Sequence, residues 1–205
     1  MNSKKKSLLF VVPYNPILGS KGPQGPKNVS QPLIDLVSTM HDVVLIVVSE
    51  DATLTEIALR VVFPALQQVH IVRPLMGWAR QRARLRFILL GLPPALANGL
   101  SHELPTLLRK YAASSDLVHF EYFTLAPLIE MVQLICPVQL HCHDAYSLYQ
   151  KRLLEQADGI ADKFMALLRF LMFRNLERSF IAKATIALTV SPIDQKYLVI
   201  GRAHV

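Results

Sequence analysis

Short apolar runs alternate with longer amphipathic segments along the whole chain. Each run is four to six residues long and rich in Val, Ile and Leu, which is typical of strands buried on both faces of a sheet. The runs cover residues 8–12, 43–48, 69–72, 117–120, 138–142 and 185–190. The segments between them space their apolar residues as helices do, over residues 31–40, 53–62, 75–100, 102–113, 125–135 and 161–183.

This order of strand followed by helix predicts an α/β fold. Parallel neighbours are joined by right-handed crossovers that are usually helices, so the sheet should be parallel with helices on both faces. We therefore expect a Rossmann-like, doubly wound parallel sheet. With 205 residues, 52% of them hydrophobic, the chain is long enough to form one such domain over residues 1–205.

The loop after the first predicted strand, residues 13–28, is rich in Gly and Pro. Glycine lets backbone amides approach an anion, and a helix beginning near Ser30 would point its N-terminus at the loop. Lys21 and Lys27 add positive charge, so the loop predicts a phosphate-binding turn; an unliganded surface loop is the alternative. Its glycine spacing does not match the G-x-G-x-x-G turn, so we do not expect NAD binding.

Histidines and acidic residues mark the ends of two predicted strands. His119 and Glu121 end one run, and His141, His143 and Asp144 end the next. Because the carboxyl ends of parallel strands share one edge of a sheet, these side chains are expected at a ligand-binding edge. Of the two later histidines we expect only one to face that edge while the other packs, with His143 the functional one.

Composition narrows the range of partners. The net charge of +7 favours an anionic partner, which could be a phosphate-bearing ligand, an acidic membrane surface or nucleic acid. Cys136 and Cys142 lie in or beside an apolar run, so two free thiols in a reduced, cytoplasmic protein are expected. No run reaches the roughly 18 apolar residues of a spanning helix.

Residues 78–90 combine large apolar side chains with four arginines. Such a basic amphipathic helix is typical of contact with an anionic bilayer, and an ordinary helix with a solvated basic face is the alternative. Aromatic residues are not interleaved for base stacking, so we do not expect nucleic acid to bind. The residues expected to contact the membrane are Trp78, Arg80, Arg82, Arg84 and Arg86.

Residues 164–177 are apolar on nearly every side. This pattern favours a buried or interface helix, and exposure of its apolar residues would make the isolated chain prone to association.

Four motifs occur in order at predicted strand ends. They are Leu9-Phe10-Val11-Val12-Pro13-Tyr14-Asn15-Pro16 with Gly19-Ser20-Lys21 and His41-Asp42-Val43; Asp116-Leu117-Val118-His119; His141-Cys142-His143-Asp144 with Ser147 and Arg152; and Thr189-Val190-Ser191-Pro192. Together they resemble family 4 glycosyltransferases, particularly bacterial sugar transferases of exopolysaccharide and cell-surface polysaccharide biosynthesis. The resemblance extends over nearly the whole chain.

The resemblance implies one half of a GT-B enzyme. In that architecture two Rossmann-like domains face each other across a cleft, the N-terminal one holding mainly the acceptor and the C-terminal one most of the nucleotide-sugar. These 205 residues leave no place for the E-x7-E motif of the second domain. The resemblance therefore implies an N-terminal domain without its donor-binding half, a truncated chain with little or no transferase activity alone.

The resemblance also implies roles for individual residues. The donor would be a nucleotide-sugar, the acceptor a glycan or a lipid-linked sugar, and no metal or other cofactor is expected. A separate chain carrying the second domain would be a partner, and the protein would be cytoplasmic, able to dock on the inner membrane face. The implied catalytic residues are His143, Asp144 and His119, the acceptor-binding residues Glu121 and Arg152, and the donor phosphate loop Gly19, Lys21 and Gly22.

Two other classes remain open at this point. His141 and His143, with ligands from His119 and Glu121, could form the metal site of a metal-dependent hydrolase. A non-catalytic, membrane-associated adaptor would use only the basic helix.

Overall fold

Six parallel strands form one sheet, in the order β3-β2-β1-β4-β5-β6. The computed structural model describes residues 5–20, 24–189 and 191–198. The strands are β1 (Ser7–Val12), β2 (Asp42–Val48), β3 (Gln68–Val72), β4 (Leu117–Phe120), β5 (Val138–Cys142) and β6 (Ile186–Thr189).

Helices connect these strands. They are α1 (Gln24–Met40), α2 (Glu56–Val62), α3 (Gly77–Leu89), α4 (Leu104–Ala112), α5 (Leu128–Val132), α6 (Tyr146–Gln156), α7 (Ile160–Ser179) and α8 (Pro192–Leu198). Short 3-10 turns occupy Pro94–Gly99, Phe123–Leu125 and Ile181–Lys183.

Apolar cores cover both faces of the sheet. On β1, Leu9 and Val11 pack into the core under α3, α4 and α7, whereas Phe10 and Val12 pack into the core under α1 and α2. Every residue from Leu8 to Val12 is therefore buried, which explains the continuous apolar run. Full burial of one such side chain contributes about 1.5–3 kcal/mol, and this is what makes a central parallel strand readable from sequence.

The predicted fold class is confirmed, since the chain forms a Rossmann-like, doubly wound parallel sheet with helices on both faces. All six predicted strands are present to within about two residues at either end. Cys136 and Cys142 are free thiols, as expected.

Two predicted elements differ in the structure, and one helix was not predicted. Helix α1 begins at Gln24 rather than near Ser30, because a proline in the first turn of a helix needs no hydrogen bond from its nitrogen. The predicted helix over residues 75–100 is divided at Gly91, which has a φ of +66°, and at the prolines that follow it. Helix α6 was not predicted at all.

The sheet reverses its winding direction between β1 and β4. Strands β2 and β3 lie on one side of β1, while β4, β5 and β6 lie on the other. In doubly wound sheets the crevice at such a reversal, outside the carboxyl ends of the strands, is where ligands bind.

Candidate functional site

Glu121 lies directly after β4 and is fully buried, with 0% of its surface exposed. Three imidazoles surround its carboxylate. His119 Nε2 lies 2.7 Å from Oε2, His141 Nδ1 lies 3.1 Å from both oxygens, and His143 Nε2 lies 3.1 Å from Oε1. We refer to these four residues as the Glu121 cluster.

Strand register brings the cluster together. The β4 and β5 strands pair His119 with Gln139 and Phe120 with Leu140, so Glu121 comes opposite His141. Residues two apart on a strand share a face, and therefore His143 continues the line of His141. Both later histidines contact Glu121, and the expectation that His143 is the functional one stays a prediction.

The imidazoles keep Glu121 ionised. Burial raises the pKa of Glu121, but hydrogen bonds from the three histidines lower it by more, so the pKa lies well below its usual range. Since a carboxylate only accepts hydrogen bonds, each imidazole donates an N–H to it. The cluster is a buried carboxylate that accepts hydrogen bonds from three imidazoles.

His141 and His143 each have one ring nitrogen without a hydrogen-bond partner among the described residues. A neutral imidazole that donates from one nitrogen carries its lone pair on the other. His143 donates from Nε2, and across the described ranges no hydrogen-bond partner reaches its Nδ1. His119 differs, because its Nδ1 also bonds, 3.0 Å from Gln139 Oε1. His143 can therefore act as a base toward a ligand, whereas His119 is fully engaged within the protein.

Part of the cluster has the residue types of a metal site. His119, Glu121 and His141 each offer a ligand atom, all within 4.8 Å of one another. A tetrahedral zinc ion, however, holds its ligand atoms about 3.3 Å apart. The separation of 2.7 Å between His119 Nε2 and Glu121 Oε2 is shorter than that and fits a direct hydrogen bond. The distances favour a hydrogen-bonded cluster over a metal site.

Tyrosines that the sequence analysis missed lie beside the cluster. The Tyr122 ring is 5.6 Å from His143, and its hydroxyl is hydrogen-bonded to that of Tyr146. Tyr14, from the loop after β1, meets Tyr122 edge-on at 6.2 Å. Burial raises the pKa of all three hydroxyls, so these residues are neutral. The position of Tyr122 next to Glu121 at a strand end was the signal that could have identified it.

Asp144 and Arg152 lie outside the Glu121 cluster. Both line a cavity of about 500 Å³ at the start of α6, which we call the α6 cavity. Asp144 is joined to His143 by a peptide bond, so the cavity adjoins the cluster. Among the described residues Arg152 has no hydrogen bond or ion pair. The other polar side chains lining it are Tyr146, Tyr149, Ser191 and Asp194.

The predicted phosphate loop is only partly described. Gly19, with a φ of +77°, lies at a second cavity of about 360 Å³ beside Asp51. Lys21 and Gly22 fall outside the described residues, so their predicted role stays a prediction. Lys27 is buried, and its Nζ donates to the Ser20 carbonyl at 2.9 Å and to the Ser20 hydroxyl at 2.6 Å. Lys27 therefore fastens the loop to α1.

The expected membrane-contact residues on the basic helix α3 fall into two groups, which either bond within the protein or face outward. Arg80 Nε donates to the Leu75 carbonyl at 2.6 Å and its guanidinium pairs with Glu50, while Arg84 lies 3.4 Å from Asn98 Oδ1. These two arginines bond to the protein itself, and the membrane contact expected of them stays a prediction. The expected residues that face outward are Trp78, Arg82 and Arg86. In the described part of the chain, no helix has the length and apolarity needed to cross a bilayer.

Comparison with known proteins gives matches at the level of structure alone. No protein-family model and no curated protein matches the chain. Sucrose-phosphate synthase (tll1590) from Thermosynechococcus elongatus matches with a TM-score of 0.57 and 15% identity, over 95% of this chain and 44% of that one. This likeness shows the fold.

Two further solved structures match with lower TM-scores. Phytolacca americana UGT2, complexed with UDP-2fluoro-glucose and pterostilbene, gives 0.47 at 11% identity, over 95% of this chain and 49% of that one. The glycotransferase of kitacinnamycin gives 0.45 at 14% identity, over 93% and 47%. The chain thus spans less than half the length of each of these three proteins.

Proposed function

We propose that this chain is the acceptor-binding half of a family 4-like glycosyltransferase that moves a sugar from a nucleotide-sugar to a glycan or lipid-linked acceptor. The observation that carries the proposal is His143, held by a buried carboxylate with one nitrogen free, at the carboxyl edge of a doubly wound sheet. The fold match to half of a sucrose-phosphate synthase supports the same class.

The chemistry of transfer requires a proton acceptor near the acceptor hydroxyl. In the reaction the hydroxyl oxygen forms a bond to the anomeric carbon, the bond to the leaving phosphate breaks, and the hydroxyl proton must go elsewhere. His143 Nδ1 accepts this proton, and the Glu121 carboxylate stabilises the imidazolium that results. Glu121 and His119 act as positioning residues, because their polar atoms are bonded within the cluster.

The α6 cavity is the proposed acceptor site. The Asp144 carboxylate can accept hydrogen bonds from sugar hydroxyls, and the half-exposed Tyr149 ring offers an apolar surface for a sugar face. Arg152 suits an acceptor that carries a phosphate or a carboxylate. The loop with Gly19, Lys21 and Gly22 is proposed to face the donor phosphates. This scheme requires no metal, and the remaining donor contacts would come from a second domain.

Ligand binding to the full chain tests the acceptor site. Saturation-transfer NMR with methyl β-glucoside, N-acetylglucosamine and glucose 1-phosphate should show contact with all three probes. Arg152→Ala should weaken glucose 1-phosphate binding by about tenfold, because a charge-assisted hydrogen bond is lost. Lys151→Ala is the matched control, since this neighbouring cation pairs with Glu155 on the surface. No saturation by any probe, or an equal effect of both substitutions, would overturn the proposal.

A metal-dependent hydrolase is a second candidate, favoured by the proximity of His119, Glu121 and His141. Elemental analysis after dialysis against zinc discriminates between the hydrolase and the glycosyltransferase. A hydrolase would retain one zinc per chain and lose it on His119→Ala. If the cluster is only hydrogen-bonded, the unsubstituted protein and His119→Ala should both retain less than one zinc per chain.

A further inference from the structure

The cavity of about 360 Å³ lies at the carboxyl edge of the sheet, between the loop after β1 and the loop after β2. The first loop lines it with Asn15 and Ile17, and the second loop lines it with Asp51, Thr53 and Leu54. We call it the β1–β2 cavity. None of these five side chains has a part in the proposed transfer reaction.

The polar groups of the β1–β2 cavity suit a hydroxyl group. Asn15 is buried, its Nδ2 donates to Asp51 Oδ2 at 2.9 Å, and its Oδ1 accepts from the Ile17 amide at 3.1 Å. An amide side chain has two N–H donors and two lone pairs, so one of each has no partner among the described residues. Thr53 Oγ1 gives its only hydrogen to Asp51 Oδ1 at 2.6 Å and can therefore only accept from a ligand. A hydroxyl group, which both donates and accepts, matches these atoms.

The opposite side of the β1–β2 cavity is apolar. Ile17, Leu54 and Ala58 offer a surface for the C–H groups of a ligand. Asp51 is the only charged side chain in the described lining, and a carboxylate repels an anionic ligand. Of the residues proposed to face the donor phosphates, only Gly19 borders this cavity within the described ranges. A ligand with hydroxyl groups on one side and C–H groups on the other is a neutral sugar.

Three tyrosine rings connect the β1–β2 cavity with the α6 cavity. Tyr14 directly precedes Asn15, and its ring meets that of Tyr122 at 6.2 Å. The Tyr122 ring lies 6.1 Å from that of Tyr146, which lines the α6 cavity, and 5.6 Å from His143. All three tyrosines are half-buried and keep part of their surface exposed. We call them the tyrosine row, and it passes beside the proposed base.

The two cavities are too far apart for one sugar ring to contact both. The β1–β2 cavity lies between the ends of β1 and β2, and the α6 cavity lies between the ends of β5 and β6. Three strand spacings separate these positions in the sheet, which corresponds to about 14 Å. A ligand that contacts both cavities must therefore contain several linked sugar rings.

We propose that the β1–β2 cavity binds an inner sugar unit of the acceptor, so that the acceptor is an oligosaccharide lying along the tyrosine row. The inference rests on the proposed function, because it takes the α6 cavity as the site of the terminal unit beside His143. The inner unit adds contacts that do not involve the reacting hydroxyl. Since both ends belong to one ligand, these contacts raise its affinity for the protein.

Calorimetry on the full chain with ligands of two lengths tests the proposal. The probes are methyl β-glucoside, maltotetraose and cellotetraose, which share the glucose unit and differ in length and linkage. At least one tetrasaccharide should bind about tenfold more tightly than methyl β-glucoside, because it reaches the second cavity. In ¹H–¹⁵N NMR spectra that tetrasaccharide should shift the side-chain amide signals of Asn15, whereas methyl β-glucoside should leave them in place.

Filling the cavity separates the inner subsite from the terminal one. Ala58→Phe places a large ring in the β1–β2 cavity and removes no hydrogen-bonding side chain. It should weaken tetrasaccharide binding by about tenfold and leave methyl β-glucoside binding unchanged. Thr53→Val, which removes an accepting hydroxyl at an exposed position, should also weaken tetrasaccharide binding.

The matched control is Ile57→Phe, on the same helix as Ala58. Ile57 is 76% exposed and is not part of the described lining, so this variant should bind the tetrasaccharide like the unsubstituted protein. Thermal unfolding establishes that each variant is folded.

Equal affinity for the short and the long probes would overturn the inference. Equal effects of Ala58→Phe and Ile57→Phe, or unshifted Asn15 signals, would do the same. In each of these cases binding of methyl β-glucoside still supports the proposed acceptor site. If no probe of either length binds, the proposed acceptor site fails together with this inference, so the two failures are distinguishable.

Discussion

At the scale of single residues, the candidate site depends on Glu121. Both of its carboxylate oxygens accept hydrogen bonds from imidazoles, and none of its surface is exposed. The structure thus places the Glu121 carboxylate inside the cluster, whereas the resemblance had implied that Glu121 contacts the acceptor. Its role is to hold His143 and His141 with their second nitrogens free.

Substitution of Glu121 should destabilise the fold. Glu121→Ala leaves three buried imidazole N–H groups without their acceptor, and we expect a loss of about 3 kcal/mol in the free energy of unfolding. Urea denaturation measures this loss in the free energy of unfolding. Glu155→Ala is the control, because Glu155 is exposed and should change the free energy by less than about 0.5 kcal/mol. Equal stability of the two variants would contradict the assigned role.

Glu121 and Glu177 should show opposite pH dependences. The hydrogen bonds from His119, His141 and His143 outweigh burial and lower the Glu121 pKa below its ordinary 4.5, so its stabilisation is full above that value and is lost as the pH falls further. Burial raises the Glu177 pKa, and hydrogen bonds from Ser147 offset this only in part. The Glu177 contribution is therefore full below pH 4.5 and is lost as the pH rises through the raised pKa.

Paired urea titrations between about pH 2 and about pH 7 measure this difference. The stability lost on Glu121→Gln should grow as the pH rises toward 4.5 and then stay constant, whereas that lost on Glu177→Gln should shrink as the pH rises above 4.5. The imidazoles donate to Glu121 whether neutral or protonated, so these bonds persist over the range. Slopes of the same sign would contradict the assignment.

At the scale of elements, two short 3-10 turns pack directly against each other. Gly99 ends the turn Pro94–Gly99, and a Cβ built on it would lie 2.7 Å from the carbonyl oxygen of Thr124 in the turn Phe123–Leu125. This close approach fixes the segment after α3 to the segment after β4, which carries Tyr122. The position of Tyr122 beside the Glu121 cluster therefore depends on a residue without a side chain.

Gly99→Ala should disturb this contact. The new methyl group meets backbone atoms that cannot move independently, so we expect a loss of about 2 kcal/mol. Gly25→Ala is a matched control within α1, where a Cβ meets nothing within 4 Å. That substitution should stabilise the helix by about 0.5–1 kcal/mol. Thermal unfolding of both variants measures the effects, and a neutral Gly99→Ala would show that the contact relaxes freely.

At the scale of the whole molecule, the candidate functional residues lie along one edge of the sheet. The loops after β1, β4 and β5 bring Tyr14, Glu121 and His143 to the reversal of the sheet. The chain spans 44% of the sucrose-phosphate synthase that it matches.

The chain alone should bind acceptor analogues but transfer little sugar. Incubation with radiolabelled UDP-glucose and each glycoside measures transfer. Little transfer is expected because most contacts to the donor are proposed to come from a second domain. Transfer at ordinary enzyme rates, above about one turnover per second, would contradict this division while leaving the acceptor site in place. His143→Gln would then show whether the cluster takes part in the reaction.

The order of strands and helices, and the placement of His119, His141 and His143 at strand ends, could be predicted from the sequence alone. Strands buried on both faces require continuous apolar runs, and the polar residues that end them stand out. Helix α6 was missed because its start is stabilised by distant groups. Ser147 N bonds to Glu177, and Ala145 N bonds to Asp194.

Only the tertiary structure decided which polar residues act together. The burial of Glu121 follows from the register between β4 and β5, and the bonds of Arg80 and Arg84 follow from the positions of Glu50 and Asn98. These are contacts between distant parts of the chain, and no local pattern encodes them. Hydrophobic burial acts on each segment separately and can be read along the sequence, whereas pairing of polar groups depends on where the fold places their partners.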